Sequence, residues 1–551
     1  MRVRYWVIAC LFSFAPLRAQ LYFDAPVFGT PSYFRTHFGN TLPRVELKPP
    51  ARLADFVVDG HLELSLRAYL ELVLANNTQI QIQRLSLEIP KNALTRALAP
   101  FDPTFVASFR STRTQTPTAD VLAGAQTLSQ LTQPFSFTYQ QTLDTGTTYS
   151  IGFSGDKRST NNMFATVNPS ISAGLSFQIT QPLLRNRGRF VNRLQYLVAE
   201  SRLKSTRYQT ENEIMRLLAQ AENVYWNAIE ARENLRVTEE ALKLAETFLQ
   251  RARRELELGA ISPLDIYQPE QNRANQEIFL TQARYQYAQA LDAIRQQIGA
   301  DLDPDFRNMP IVLTEPVLPP AEEETVDPEK MVEIAFRKRP DLKAQLESLR
   351  LDDLQYEVAK NSLRPDLSLG MSYTSQGLGG TVYERSNVFG GQSQILRIIP
   401  GGLRDALNQV FGFDYPTYGF SLTLRLPLRD RRAAADLADA LISKRLDALR
   451  ARNLEQQIRL EVLNAVNQLE SAKARVKLAQ TALEFSQKRV EAEQKKYDLG
   501  VTTIYFVLDA QNALTAAQSQ LVTAVAQYRR NMTNLLRVTG QLLEERGVIV
   551  Q

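Results

Sequence analysis

Residues able to carry covalent or metal chemistry are scarce in this chain. Its 551 residues include two histidines, His37 and His61, and one cysteine, Cys10. It has no HExxH pair, no phosphate-binding glycine loop and no nucleophile elbow. The sequence therefore offers no catalytic residue, no cofactor site and no metal site, and the expectation is a protein that is not an enzyme. What remains is a pair of acids beside glycine turns, Asp265 after Gly259 and Asp509 after Gly500. Ser262-Pro263-Leu264-Asp265 has the form of a helix cap, with Asp265 at the third helical position. Asp509 lies beyond the first turn of its helix, where an acid has less capping use.

The two turns are corresponding points of a duplicated chain. Residues 217 to 299 and 458 to 540 run parallel at a constant offset of 241. Leu258-Gly259 answers Leu499-Gly500, Ala283 answers Ala524, Tyr287 answers Tyr528 and Gly299 answers Gly540. Upstream, Pro103 matches Pro365 and Pro182-Leu183 matches Pro427-Leu428. Each copy reads as helix, strand, loop, strand, very long helix, tight turn, helix. A repeat of roughly 240 residues predicts one pseudo-symmetric body of two fused units, not an array of short solenoid repeats. The repeats span 61–320 and 321–551.

Residues 1–19 combine Arg2 and Arg4 with an apolar stretch and end in Ala19, which reads as a secretory signal. Val7-Ile8-Ala9-Cys10 has the look of a lipoprotein cleavage box, but only five apolar residues precede Cys10. The expected mature chain begins near Gln20, without a lipid. Loss of the leader removes Arg2, Arg4, Arg18 and the only thiol, leaving 61 basic against 59 acidic residues. That balance recommends no nucleic-acid surface, and a chain without thiols suits an oxidising envelope compartment. No later stretch reaches the roughly 18 apolar residues of a membrane-spanning helix. A bilayer would have to be crossed by strands. Residues 20–60, with LYFDAPVFGTPSYF and Pro49-Pro50, show no period and are given no chemistry.

Four segments alternate between apolar and small or polar residues. In the first copy Phe105, Ala107 and Phe109 alternate with Thr104, Ser108 and Arg110, and Ala173, Leu175 and Phe177 with Gly174, Ser176 and Gln178. In the second copy Leu369, Met371 and Tyr373 oppose Ser368, Gly370 and Ser372, and Tyr418, Phe420 and Leu422 oppose Gly419, Ser421 and Thr423. Strand side chains point alternately to opposite faces, so each segment has one greasy and one wet surface. A half-buried soluble sheet would show the same alternation. Runs of about 9 to 11 residues with Ser, Thr, Gly and Gln on one face also suit tilted outer-membrane strands around a water-filled lumen. Four strands cannot close such a barrel, so several chains must share one. A further hairpin, 135–143 and 149–155 around Asp144-Thr145-Gly146, occurs only in the first copy. It is expected to extend above the membrane, with insertion into the barrel as the alternative. Residues 375–416, Gly-rich with a short helix over 403–410, read as an outside loop.

A heptad places Ile214, Ala221, Ala228, Leu235, Leu242 and Leu249 on one line, with Leu217, Val224, Ala231, Thr238, Ala245 and Ala252 on a second. The second copy repeats it with Val462, Leu469, Val476, Leu483 and Val490 beside Ile458, Ala465, Ala472, Ala479 and Ser486. Sustained heptads predict coiled-coil packing, and the alanine line permits close approach. Pro182 to Gly259 is 77 residues and Pro427 to Gly500 is 73, enough for helices on the order of 110 Å. Leading helices over about 65–99 and 328–361, and returning helices over about 262–299 and 503–540, are half as long. Two of them stacked end to end would cover one long helix. Ser65 and Asp327-Pro328 are placed to start the leading helices, Gly299 and Gly540 to end the returning ones, and 316–328 joins the copies as a solvated linker.

A secreted, duplicated helix, strand pair, long helix and half helix, with LGAISPLDIYQ and LGVTTIYFVLDAQN at the turns, resembles the TolC-like outer-membrane efflux proteins over roughly 61–541. The resemblance implies an α+β, mostly α fold: a homotrimer whose chains each give four strands to one outer-membrane β-barrel, continued by a long periplasmic α-helical barrel. It implies a passive outer-membrane exit duct for small molecules or proteins in a tripartite efflux or type I secretion system. The partners would be outer-membrane lipid, a periplasmic adaptor and an inner-membrane transporter that supplies the energy. A non-channel coiled-coil scaffold of the envelope is the alternative.

In this family the two helix turns form the periplasmic entrance, where acids line the pore and polar contacts hold it shut. Six residues after the turn glycine, family members carry Asp in both copies; here Gly259 is followed by Asp265 but Gly500 by Phe506. Nine residues after, the acid is present as Asp509, whose first-copy counterpart is Gln268. Thr502 stands where some members have an arginine that ties the gate. The resemblance thus implies an acidic entrance without the same lock. Asp265 keeps both readings, cap and pore lining, whereas pore lining is expected of Asp509 and packing of Phe506. Three copies of Asp509 around an axis would repel each other and attract cations, multivalent ones above all.

Overall fold

A computed structural model of the chain describes residues 28–31, 34, 51–118, 125–259, 261–316, 326–386 and 394–548. The signal segment with Cys10, His37 and most of 20–60 and of the 316–328 linker lie outside the described residues.

Ahead of the first repeat stands β1 (Val57–Val58), and the repeat opens with β2 (His61–Leu64), α1 (Leu66–Asn76), α2 (Thr78–Ser86) and α3 (Glu88–Arg96). Five strands follow: β3 (Thr104–Phe109), β4 (Thr112–Pro117), β5 (Thr127–Thr142), β6 (Thr148–Thr160) and β7 (Val167–Pro182). Then come α4 (Arg189–Asn192), the 64-residue α5 (Leu194–Glu257), α6 (Tyr267–Ile298) and β8 (Ile311–Leu313). The second repeat carries α7 (Pro328–Lys338), α8 (Pro340–Ser362), β9 (Asp366–Arg385), β10 (Ile395–Ile399), α9 (Leu403–Gly412) and β11 (Tyr415–Arg425). The 68-residue α10 (Arg431–Asp498), α11 (Ile504–Val538) and α12 (Leu542–Glu545) complete it. Two compact units cut across the repeats, so that each repeat contributes to both. A strand unit holds Lys91–Arg202 and Leu349–Leu446, and a helical unit holds Pro26–Pro90, Leu203–Ser348 and Asp447–Gln551.

In the strand unit the four expected strands are all present, but the hairpin of the first copy corrects their number. β5 and β6 stand inside the sheet, giving the antiparallel path β3-β5-β6-β7-β9-β11, with β4 on β5 and β10 on β9. With the short β3 and β4, which pair in succession along β5, counted as one interrupted strand, the count rises from four to six. An isolated hairpin is marginal in water; here β5 is flanked by β3 and β6, and β6 by β5 and β7, so the backbone groups of both strands find partners on each side.

The Gly-rich segment after Tyr373 also departs from a plain loop, because β9 continues to Arg385 and the short helix α9 lies against it. A Cβ on Gly377 would meet the Ala406 carbonyl oxygen at 2.1 Å, and one on Gly379 the Gly402 oxygen at 2.0 Å. Only glycine permits that approach. Ala173, Ala406 and Val410 form the small core between helix and sheet, and the Ser375 hydroxyl donates to the Val410 carbonyl at 2.7 Å.

In the helical unit one core gathers Tyr69, Leu72 and Ile80 from α1 and α2, Ile214, Leu218, Tyr225 and Ile229 from α5, and Ile294 and Ile298 from α6. A small sheet, β1-β2-β8, adds Leu62, Leu64, Ile311 and Leu313. A second core follows the predicted heptad of α10, Ile458, Val462, Ala465, Leu469, Ala472 and Val476, against Val525, Tyr528 and Leu535 of α11. The first leading helix is not continuous over 65–99. Ser65 caps it as expected, accepting from the Ala68 N–H at 3.2 Å, but it breaks at Asn77. The Asn77 side chain restarts the helix by accepting from the Gln79 and Ile80 N–H groups at 3.0 and 3.3 Å. The second leading helix starts at Asp327, which accepts from the Glu329 N–H at 3.1 Å, and breaks at Arg339, ahead of Pro340.

Candidate functional site

Two places hold residues whose arrangement bears on function: the faces of the sheet, in the strand unit, and the helix turns, in the helical unit.

Strand pairing lines up like with like across the sheet. One rung runs Phe105, Tyr139, Ile151, Phe177, Tyr373, Tyr418, and its neighbour Thr104, Gln140, Ser150, Gln178, Ser372, Gly419. The period of two thus puts one apolar and one polar face on all six strands of this path. On the apolar face Phe105 is 67% exposed, Tyr418 82% and Phe420 74%. Bare rings of this size are costly in water and at ease in hydrocarbon. The polar face borders an open hollow of about 1120 Å³ whose lining includes Ser136, Ser154, Asp156, Ser176, Thr374 and Gln376.

At the first turn α5 ends at Glu257 and Gly259 takes φ 74°; at the second α10 ends at Asp498 and Gly500 takes φ 71°. Both glycines sit in the left-handed region that reverses a helix end. At the second turn the Gly500 N–H donates to the Tyr497 carbonyl and the Val501 N–H to that of Lys496, each at 2.9 Å.

The two turns then start their return helices differently. In the first, the Asp265 carboxylate accepts from the Ser262 N–H at 3.2 Å and the Ser262 hydroxyl accepts from the Leu264 N–H at 3.3 Å. These bonds close the turn 262–265 ahead of α6, whose N-cap position Ile266 carries no side-chain bond, so Asp265 stands before the helix and not at its third position, with its side chain exposed. In the second, Thr503 makes no such side-chain bond, and Ile504, Val507 and Leu508 pack instead against Phe248 and Ala252 of α5. Phe506 lies outside that cluster, 48% exposed and edge-on to Tyr505 at 5.5 Å, so the packing expected of it is not made within the chain. Thr502 is half-buried and Gln268 exposed.

Asp509 has a partner the sequence reading missed. Its carboxylate accepts from Arg489 of α10 at 2.6 Å, with both side chains about half exposed. The first-copy counterparts of this pair are Phe248 and Gln268, so both members differ between the copies. The first hairpin is strapped by other pairs, Arg253 with Glu270 at 3.0 Å and Arg273 with Glu246 at 3.9 Å. The signal for Arg489 was its place: 11 residues before Gly500, against 9 after it for Asp509, positions that face each other across an antiparallel turn.

A further network joins the ends of the two long helices. Arg251 of α5 contacts Glu255 at 2.8 Å and Asp498 of α10 at 2.7 Å, and the Tyr497 hydroxyl donates to Glu255 at 2.7 Å. The guanidinium also lies 5.6 Å from the centre of the Tyr497 ring. Burial, and then the bond to Glu255, pushes the Tyr497 phenol up to about 12. The hydrogen bond from Arg251, followed by that from Gln494, holds the Asp498 carboxyl below its usual range. No local pattern marks this network, because Arg251 answers Ala492 in the other copy.

His61 is exposed on β2, its Nδ1 3.0 Å from the Asp59 carbonyl oxygen. Among the described residues no group of three or more His, Cys, Asp or Glu could hold a metal ion, and no helix is long and apolar enough to cross a membrane. The latter says nothing of strands.

Comparison with known proteins agrees with this geometry. The family model described as outer membrane efflux protein matches residues 69–300 and 331–541. Protein CyaE of Bordetella pertussis is 26% identical over 331 residues, 59% of this chain. The match spans about three fifths of that relative, 62% of its length. Among solved structures, the Campylobacter jejuni CmeC outer membrane channel is 15% identical, with 90% of this chain and 88% of that one covered and a TM-score of 0.58. The Vibrio cholerae outer membrane protein VceC is 14% identical, with 86% and 96% covered and a TM-score of 0.58. The open Neisseria gonorrhoeae MtrE outer membrane channel is 16% identical, with 87% and 89% covered and a TM-score of 0.56. This chain belongs to the outer membrane efflux protein family, with its two-repeat fold of outer-membrane strands and periplasmic helices.

Proposed function

We propose that three copies of this chain share one barrel and one helical tunnel and serve as a passive exit duct across the outer membrane. The duct belongs to a tripartite efflux or type I secretion system and performs no catalysis. The observation that carries this reading is the division of the sheet into an apolar and a polar face along the strands of this path, the apolar face bare on β3 and β11 and partly covered by α9 on β7 and β9, in a chain of this family. A periplasmic adaptor and an inner-membrane transporter complete the path, and the transporter selects the cargo. Asp265 and Asp509 line the periplasmic entrance, with Gln268, Thr502 and Phe506 beside them. Support comes from the exposure of both carboxylates next to the turn glycines.

The test is reconstitution of the purified full-length protein into planar bilayers. A duct gives discrete ion-conducting steps, heat-resistant trimers on gels and extraction from envelopes only by detergent. Release by salt or by freezing and thawing, with no conductance, would instead indicate an envelope scaffold.

A further inference from the structure

The hairpin β5–β6 has no counterpart in the second repeat, yet it obeys the same two-faced rule as the strands around it. Phe137, Tyr139, Ile151 and Phe153 lie on the apolar face, and Ser136, Thr138, Gly152 and Ser154 on the polar one. β6 pairs with β7 from Thr148↔Thr180 to Arg158↔Ser170, and β5 with β3 from Thr104↔Gln140 to Phe109↔Phe135. A hairpin standing clear of the membrane, wet on both sides, has no reason to keep an apolar face in register with its neighbours. Phe137, 42% exposed, stacks on Phe105 of β3 at 6.2 Å, so the bare surface runs on across the insert.

The edges of the sheet state how copies meet. β3 pairs only with β5 and β11 only with β9 among the described residues, and every residue of both edge strands is exposed. Six antiparallel strands form an even set, so β3 and β11 run in opposite directions. The β11 edge of one copy thus meets the β3 edge of the next antiparallel, as each internal neighbour does, and rotation closes the ring with no edge left over.

We propose that the hairpin is a ring-widening insert and that three chains close a barrel of eighteen strands, in place of the twelve that four strands each would give. The inference rests on the shared-barrel reading above. Barrel diameter grows roughly linearly with strand number, so the ring is about one and a half times as wide as a twelve-stranded one. Barrels of that size hold an aqueous channel, and the Ser and Thr residues of the hairpin's polar face line it. Such a lumen suits large hydrated cargo.

Electron cryomicroscopy of full-length trimers in lipid nanodiscs should count eighteen strands, with β5 and β6 inside the lipid belt. Twelve strands, with the hairpin outside, would overturn the insert while leaving the duct intact. A labelling experiment reads the same point independently. Single cysteines I151C, S154C and F177C, in a C10S background, are tagged with a fluorophore in trimers reconstituted with lipid-borne quencher. Quenching at position 151 should equal that at 177, with little at 154. Quenching at 177 but not at 151 removes the hairpin from the ring, whereas none even at 177 overturns the membrane reading as well.

Discussion

Arg251 on α5 and Asp498, the last residue of α10, meet at 2.7 Å, although 247 positions separate them in the chain. The contact ties the end of one long helix to the end of the other, beside both turns. On the proposed reading of the turns as the entrance, such a tie would oppose outward movement of one helix pair from the other. R251A and D498A are expected to raise the open probability of reconstituted channels while trimers still assemble. A double variant no more open than either single one would show that the two residues act through their mutual contact.

The same network sets a pH window. The Asp498 carboxyl is held low, so the tie is fully present above the ordinary carboxylate range, and it is lost as pH falls through the lowered value. The Tyr497 phenol is pushed up to about 12, so its bond to Glu255 outlasts the pH near 10 at which a free tyrosine ionises and is lost only as pH rises through about 12. Conductance recorded from pH 5 to pH 9 should show no step from this network in the unaltered protein.

Asp509 should govern the action of multivalent cations. D509A is expected to weaken their block of the conductance and to lessen cation preference, measured in planar bilayers; unchanged block would remove Asp509 from the pore. R489A frees the carboxylate and should strengthen the block. Because the pair is half exposed, either change is expected to cost the fold only about 0.5 kcal/mol.

Glu222 is the stability counterpart of these surface pairs. It is 1% exposed, accepts from Arg546 at 2.6 and 3.2 Å and from the Thr533 hydroxyl at 2.7 Å, and so pins the segment after α11 onto α5. R546A would leave the buried carboxylate without its cation and should destabilise by about 3 kcal/mol. Thermal unfolding would check this, with T533V costing less.

G259A and G500A each force a side chain into the left-handed region without meeting any neighbour. Each should cost about 1 kcal/mol from backbone strain alone, seen as a lower melting temperature.

The duplication, the long heptad helices, the turn glycines, the Ser65 and Asp327 caps and the two-faced strands were all legible in the amino-acid sequence. Each rests on a local period or a local hydrogen bond, which neighbouring residues determine by themselves. The bond between Ser262 and Asp265 was legible for the same reason, since the two lie three residues apart, but it closes the turn ahead of α6 and does not cap the helix itself. Placement of β5 and β6 between β3 and β7, the seat of α9 on Gly377 and Gly379, and the pairs Arg251–Asp498 and Arg489–Asp509 were decided only by tertiary structure. Alternation says that a strand has two faces but not which strand lies beside it. A charge on a helix surface finds its partner only once packing has set the register of one helix against another.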